Sequence, residues 1–328
     1  MAAKSLVVRT PEDVLAYLPV VFGFHPSESV CIVGVSGARM HARLDLPTTP
    51  EDRERGVRVL ADAAARNGLR SVLLVTYSDE GALVEAMGRE LELAMLASGV
   101  AVLDHLWVSQ GRYRHAGANG FEPVEGVPFD VSAHPLLAEQ VFAGAPVPAA
   151  SREALVASLA GTPDPLEPMS AAVERLARVA EMSTGLAAEA RWMQGRVRRY
   201  VEDRERLDVP DAARLLAGMM LARLRDVVLA EVDRERTAAA LVDLMTDLTR
   251  RAQGPAVAPV ASLLAFAAWQ AGNGALAWCA VDKARAVEPT YSLAGLVAAA
   301  LEGAVPPREW PGIEPGDLPV LGGDAETA

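Results

Sequence analysis

The sequence predicts an α/β half followed by an all-helical half, and three observations support this fold class. The first 117 residues alternate short β-rich apolar runs with stretches of helical periodicity, the pattern expected when helices connect the strands of a sheet. Beyond residue 132 helical periodicity continues, punctuated by Gly and Pro. Aromatic residues make up 5% of the chain and apolar residues 51%, so a core of Ala, Leu and Val favours closely packed helices.

The motif Thr-Pro-Glu-Asp occurs at residues 10–13 and again at residues 49–52. A hydroxyl before proline and two carboxylates suits the positive end of a helix. One helix should run to about Phe22, with Pro19 expected to kink or shorten it. The other should run from Pro50 to about Asn67.

Four β-rich runs are interleaved with these helices. SVCIVGV and MHARLDLP, separated by residues 36–39, predict a β-hairpin, and RSVLLVTYSD and VAVLDHLWVSQ predict two further strands. Between them, Ser78 and Asp79 are expected to cap a third helix that ends at about Ser98. The order predicts a mixed sheet with a β-hairpin edge and right-handed β-α-β crossovers.

Four segments are predicted along the chain. They are an α/β domain at 1–117, a loop or linker at 118–132, an all-helical domain at 133–305 and a flexible acidic tail at 306–328. Candidate helices in the helical domain cover 133–143, 151–160, 168–190, 192–206, 210–231, 233–251, 257–271, 274–287 and 291–302.

Composition predicts a cytoplasmic protein that does not associate with a membrane. The N-terminal residues lack the apolar core of a secretory signal. Cys31 and Cys279 each lie in an apolar run, as buried free thiols do. Residues 252–281 carry no charge, but prolines and a Gly-Asn-Gly turn divide them, so they predict a buried helical hairpin rather than a membrane span.

Charge makes nucleic acid an unlikely partner. The 43 acidic residues exceed the 31 basic residues, which gives a formal net charge of −12 that repels a phosphate backbone. The run RWMQGRVRRYVEDRERL interleaves arginines with Trp192 and Tyr200, as nucleic-acid-binding segments do. However, Arg198–Glu202 and Arg199–Asp203 are spaced to pair on a helix, so a solvated helix face is the interpretation we favour.

Three separated motifs resemble an uncharacterised bacterial family, domain of unknown function family 4192. They are LPVVFGFHPSESVCIVGV, SREALVASLAG, and LLAFAAWQAGNGALAWCAVDKA followed by EPTYSLAGL. The resemblance covers most of residues 6–303 and implies no established activity. Members often carry cysteines after an Arg-aromatic-Arg segment, whereas this chain has HAGANGFEPVEG after Arg112–Arg114. A metal or redox role is therefore unsupported, and we expect no metal and no cofactor.

A second, local resemblance is to one tetratricopeptide-type helical hairpin at about residues 260–289. Gly272 and Asn273 would form its turn, and Ala277 and Ala284 recur seven residues apart before Pro289. Only one copy is visible, and stacked solenoids need about three repeats. A buried hairpin within a helical bundle is the alternative.

Ligand-binding candidates cluster around predicted strand ends. His25 precedes the first strand beside Ser27 and Glu28, and a histidine near a carboxylate and hydroxyls could perform acid–base chemistry. The same residue types also build a structural turn. Ser36, Asp45 and Asp79 lie in the loops that follow strands, where α/β sheets bind ligands, although Asp79 could equally be a helix cap.

Arg112 and Arg114 flank Tyr113 and could bind a small anion, because guanidinium groups bind carboxylate and phosphate in a bidentate manner. An exposed edge strand also carries such charges to prevent aggregation. The sequence has no GxGxxG after a strand, no P-loop, no serine nucleophile elbow and no HExxH. These absences weaken the case for an enzyme without disproving it.

The leading functional hypothesis is a non-enzymatic module that binds another protein or itself through the helical half. Trp269, Asn273 and Trp278 of the hairpin are its candidate contact residues. The alternative is a small-molecule-binding regulator or enzyme with a site on the α/β half near His25. Nucleic-acid binding is a third, disfavoured hypothesis.

Overall fold

The computed structural model describes residues 9–37, 40–116, 123, 125–142, 147–182 and 184–321. It divides into two compact units, Met1–Arg152 and Glu153–Ala328. The first contains a mixed sheet with helices, and the second is helical. This confirms the predicted fold class.

The α/β unit is built on a six-stranded sheet with the order β2-β1-β3-β4-β5-β6. Only β3 and β4 are parallel neighbours among its pairings, and the others are antiparallel. Because β1 is antiparallel to both β2 and β3, these two strands run in the same direction on either side of it. The strands are β1 Ser29–Ser36, β2 His41–Asp45, β3 Ser71–Tyr77, β4 Ala101–Ser109, β5 Arg112–His115 and β6 Val127–Pro128.

Helices cover both faces of this sheet. Strand residues Val30, Ile32 and Leu74 form one apolar cluster with Leu60 and Met87, which belong to α2 and α3. On the other face, Tyr17 of α1 is hydrogen bonded to His41 of β2 at 3.0 Å, and the Tyr113 hydroxyl donates to Glu12 of α1 at 2.7 Å. The helices of this unit are α1 Pro11–Phe22, α2 Pro50–Arg66, α3 Gly81–Ala97 and α4 Pro135–Phe142.

The hairpin, the third strand and the fourth strand form as predicted, and three details differ. Helix α1 continues through Pro19 and ends at Gly23, whose backbone N–H donates to the Pro19 carbonyl. Strand β5 is not an edge strand, because the two-residue β6 pairs with it inside the segment predicted to be a loop. Helix α3 begins at Gly81, after Glu80 as N-cap without a side-chain cap, so Ser78 and Asp79 are not its caps.

The helical unit packs around α11, in which all fourteen residues are buried. Its apolar core also draws on helices α6 to α10, α12 and α13. The helices are α5 Arg152–Ser158, α6 Leu166–Ala180, α7 Gly185–Asp203, α8 Val209–Met219, α9 Ala222–Ala230, α10 Ala238–Arg251, α11 Val257–Gln270, α12 Gly274–Val287 and α13 Ser292–Glu302. No helix among the described residues is long and apolar enough to cross a membrane.

Four helix boundaries in this unit differ from the prediction. Helix α7 continues through the break predicted at residue 191, and α10 begins at Ala238 rather than at residue 233. The predicted helix 168–190 is interrupted, because α6 ends at Ala180 and α7 starts at Gly185. Gly185 comes so close to the Val179 carbonyl oxygen that a Cβ would collide with it. The predicted helix 210–231 breaks at Leu221, which is extended and lies three residues after Gly218. The two turns bring α6 beside α8 and α7 beside α9.

A buried carboxylate joins three helices of this unit. Glu189 of α7 has a side chain only 2% exposed and accepts hydrogen bonds from Arg175 of α6 at 2.6 Å and Arg214 of α8 at 2.8 Å. The Arg214 guanidinium also stacks 3.5 Å above the Trp192 ring. Burial alone would raise the pKa of Glu189, but the bonds from Arg214 and Arg175 lower it overall. The carboxylate is thus held charged inside the fold.

Part of the predicted flexible tail is packed. Trp310 lies edge-on to Phe266 with ring centroids 5.1 Å apart, and Leu318 is buried in the helical core. Trp310 and Leu318 of the predicted tail thus contact the helical core, whereas residues 322–328 lie outside the described part of the chain.

Acid should destabilise the α/β unit through His105. This imidazole is 4% exposed, is hydrogen bonded to Thr76 at 2.9 Å, and packs against Gly88. Burial lowers its pKa from 6.5 to about 4. Between these values the unfolded chain binds a proton that the native chain does not, so the free energy of unfolding should fall by up to about 1.4 kcal/mol per pH unit from pH 6.5 down to pH 4.

Urea unfolding at pH 7, 6 and 5 measures this slope, and the non-titrating variant His105→Gln is its control. The wild-type chain should lose more stability than the variant over that interval. Parallel pH profiles for the two proteins would show that His105 is not the responsible group.

Candidate functional site

The sheet brings several predicted ligand-binding residues to one end and leaves another at the opposite end. Parallel β3 and β4 both end beside the start of antiparallel β1, where Ser29 is paired with Tyr77 and with Asp45. Glu28, Asp45 and Asp79 therefore lie near this end. Ser36 lies at the other end of β1, where its hydroxyl is hydrogen bonded to Ser71 at 2.7 Å. At about 3.3 Å per residue the strand separates the two groups by roughly 23 Å.

Glu28 is the residue with the most unusual backbone at this end. Its φ of +37° lies in the left-handed region, which a side chain with a Cβ rarely adopts. The Ser78 hydroxyl donates to the Glu28 carboxylate at 2.9 Å and accepts from the Glu80 backbone N–H at 3.2 Å. The Glu28 backbone carbonyl accepts a hydrogen bond from the Leu46 backbone N–H. The carboxylate is exposed, so it both joins two loops and remains reachable by a ligand.

His25 and Ser27 are exposed on the turn that leads to Glu28. The His25 backbone N–H donates to the Ala149 carbonyl at 3.0 Å, and the Ser27 carbonyl accepts from Arg43 at 3.3 Å. Among the described residues no hydrogen bond links the His25 imidazole to Ser27 or Glu28. The structure thus holds the backbone of this turn without assembling an acid–base group.

Asp79 joins the loop after β3 to the turn after β4. It accepts hydrogen bonds from the Ser109 hydroxyl at 2.5 Å and from the Gln110 amide at 3.4 Å. The Trp107 indole N–H donates to the neighbouring Ser78 carbonyl at 2.8 Å. Asp79 therefore has a structural role at the carboxyl end of the parallel strands.

Both candidate arginines of β5 are engaged. Arg112 donates to the carbonyls of Glu125 and Gly126 at 2.9–3.2 Å, and the Arg114 guanidinium stacks 3.4 Å above Trp107. Together with Ser109, Gln110 and Tyr113 they line a shallow cavity of about 90 Å³. Small-molecule sites commonly occupy about 300–1,000 Å³, so this cavity could accommodate only a group of a few atoms.

Asp45 pairs with Arg43 at 2.6 Å, and this arginine was not recognised from the sequence. The Arg43 guanidinium also stacks 5.2 Å from the Phe24 ring. Its Nε is buried and has no hydrogen-bond partner among the described residues. Nearby Cys31 is fully buried, which raises the pKa of its thiol to about 12. The thiol is therefore protonated near neutral pH and a poor nucleophile.

The contact residues predicted on the helical hairpin have structural roles. Trp269 is 7% exposed and donates to the Val305 carbonyl at 3.1 Å. Asn273 caps α12 by accepting from the Leu276 backbone at 3.0 Å, and Trp278 is partly buried against the core. All of α11 and part of α12 are buried.

The basic run on α7 is not the simple solvated face that was predicted. Arg196 is 8% exposed and pairs with Asp211 at 2.8 Å. Arg198 binds Glu231 through two bonds of 2.9 Å rather than pairing mainly with Glu202. These arginines hold α7 to α8 and to the end of α9, so they are not free to bind phosphate groups.

Helix α6 has a second apolar row that the sequence analysis missed. Met169, Ala172 and Leu176 pack on the core of the unit. Leu166 and Val173, seven residues apart and so on one side of the helix, are instead 63% and 40% exposed. Ala177 and Ala180 continue this exposed row. We call residues 166, 170, 173, 177 and 180 the outer row of α6.

A family model settles the classification of the chain. The model described as "Domain of unknown function (DUF4192)" matches residues 11–308. The chain therefore belongs to this family, as the sequence motifs predicted. No curated protein and no solved structure gave a significant match. Within the described ranges, no cluster of three or more His, Cys, Asp or Glu could hold a metal ion.

The strain at Glu28 can be separated from its hydrogen bond with two substitutions. Glu28→Ala and Glu28→Gly both remove the bond to Ser78, but only glycine relieves the positive φ. Glu28→Gly should therefore be more stable than Glu28→Ala by about 1 kcal/mol. Thermal or urea unfolding of the two variants measures the difference, and equal stability would mean that the backbone at residue 28 is not strained.

Proposed function

We propose that this protein is a non-enzymatic interaction module that binds another protein through its helical unit. The observation that carries the proposal is the outer row of α6. Its Leu166 is 63% exposed although the same helix already packs a separate apolar row on the core. Exposed apolar rows of this kind mark protein-binding surfaces.

We propose α6 as the partner-binding helix, in place of the hairpin that the sequence suggested. Trp269 is buried and Asn273 caps a helix, so both side chains already have roles within the fold. Helix α6 lies on the surface of the unit, and its Leu166 and Val173 are available. Apolar anchors spaced along one helix are a recurring way to bind a groove or a second helix.

A small-molecule-binding regulator or enzyme remains our second candidate. The observation that favours it is the exposed, strained carboxylate of Glu28 at the carboxyl end of the parallel strands, where α/β sheets bind ligands. The 90 Å³ cavity beside Arg114 lies on the neighbouring strands. Its small size and the structural engagement of Asp79 and Arg112 support the interaction module over this candidate.

Charge and thiol state support the remaining parts of the proposal. The net charge of −12 and the ion-paired arginines of α7 disfavour nucleic acid. Cys31 is a free, buried thiol, as suits a reducing compartment. We therefore propose a cytoplasmic protein that partners another protein.

Replacing the outer-row anchors should dissociate the complex. We expect Leu166→Ser with Val173→Ser to abolish association with the partner while the fold is retained, because both side chains already face solvent. Leu296→Ser is the matched control, since this leucine of α13 is 69% exposed on a different helix. Native mass spectrometry of protein isolated gently from its host measures the complex.

The wild-type chain and the Leu296 control should retain a stoichiometric protein partner, and the double variant should appear at its own mass. A wild-type chain that is a bare monomer, or a double variant that keeps the same partner, would contradict the proposal. A retained small molecule without a protein partner would favour the second candidate.

A further inference from the structure

An acidic row borders the outer row of α6. Glu167, Glu174 and Glu181 recur seven residues apart, each one position after Leu166, Val173 or Ala180. All three are exposed. In the part of the chain that the structure describes, no ion pair or side-chain hydrogen bond involves any of the three carboxylates. The protein therefore presents an apolar row beside three exposed glutamates, with the exposed basic side chain of Arg178 between Glu174 and Glu181 in the sequence.

The apolar arc of α6 is wider than the part that the core covers. Successive residues lie about 100° apart around a helix, so the apolar arc from Ala172 to Ser170 spans roughly 160°. One apolar face usually needs about 100°. The core covers only the part that contains Met169, Ala172 and Leu176. The polar side of the helix begins only beyond the outer row, at the glutamates. This is the pattern expected if the outer row is buried by a partner.

We propose that the outer row of α6 binds a basic amphipathic helix of another protein, whose lysines or arginines face Glu167, Glu174 and Glu181. This inference rests on the function proposed above and names the chemistry of the partner. The apolar face of the partner helix covers Leu166 and Val173. Its basic side chains give the contact its selectivity and its dependence on salt.

Charge argues against a second copy of this chain as the occupant. In a two-fold antiparallel contact between two α6 helices, the same flank of each helix faces its own counterpart. The three glutamates of one copy would then face those of the other, which is repulsive. The net charge of −12 adds to this repulsion. The same acidic row would be repelled by an anionic lipid surface.

Two synthetic helical peptides test the inference with the full-length chain. Both have about three heptads with the same leucine and alanine face. Lysines flank that face in one peptide and glutamates flank it in the other. We expect the lysine peptide to bind at least about tenfold more tightly at low salt, and the preference to shrink as salt is raised. Isothermal titration calorimetry measures both affinities.

Charge reversal then assigns the preference to the acidic row. The triple variant Glu167→Lys, Glu174→Lys and Glu181→Lys should reverse it, so that the glutamate peptide binds better. The matched control reverses three exposed glutamates away from α6, Glu85, Glu92 and Glu288, and should bind as the wild type does. An unchanged melting temperature shows that each variant is folded.

Equal binding of the two peptides, no binding of either, or the same change in the control variant would overturn the inference. If that happens while Leu166→Ser with Val173→Ser still releases the cellular partner, the proposed function stands and the partner is not a basic helix. If that double variant has no effect on the cellular complex either, both proposals fail.

Discussion

The buried carboxylate of Glu189 fixes which face of α6 points outward. It binds Arg175 of α6 and Arg214 of α8 within 2.8 Å, and Arg214 is itself held against Trp192. A charged group in the interior is costly unless it is fully paired, so any rotation of α6 that removed Arg175 from Glu189 would be penalised. Leu176 consequently faces the core while Leu166 and Val173 face solvent. The exposed outer row is thus a consequence of the ion-paired interior.

The sheet end shows how loops can gather polar residues without forming a catalytic group. Glu28 is bound by Ser78, and Asp79 is bound by Ser109 and Gln110. Each of these hydrogen bonds joins the loop that carries the carboxylate to a neighbouring loop or turn, and it stabilises both. In an enzyme, a carboxylate that acts as a base would lie in hydrogen-bond contact with a nucleophile or with the group that it orients. Because these carboxylates are bound within the fold, we place the proposed function on the helical unit.

Local signals predicted much of the fold. Proline after a capping threonine placed the start of α2 at Pro50, and Gly68 and Gly99 mark the turns after α2 and α3. The break at Leu221 was missed because Gly218, three residues earlier, is itself buried within α8. The two-residue β6 was missed because it is too short to show a period. Partner choice in the ion pairs also depends on tertiary packing. Arg198 forms its hydrogen bonds with Glu231, which is 33 residues away in the chain, although Glu202 is nearer in sequence.

Less of the candidate site could be predicted. Residues at strand ends were identified correctly as such, but strand direction decides which ends meet, and antiparallel β1 carries Ser36 away from Asp45. Arg43 and Trp107 were missed because their roles depend on cross-strand neighbours. The outer row of α6 was missed for a different reason. Its apolar spacing is visible in the sequence, but a core-facing row and an exposed row have the same period, and only packing distinguishes them.

Site-specific photo-crosslinking in living cells can identify the molecule that covers the outer row of α6. A photoreactive amino acid placed at Ser170, an exposed position within the outer row, reacts with whatever covers α6. The account predicts a crosslink to one distinct protein, lost when Leu166 and Val173 are replaced by serine. Crosslinks only to this chain, or reaction with solvent alone, would contradict it.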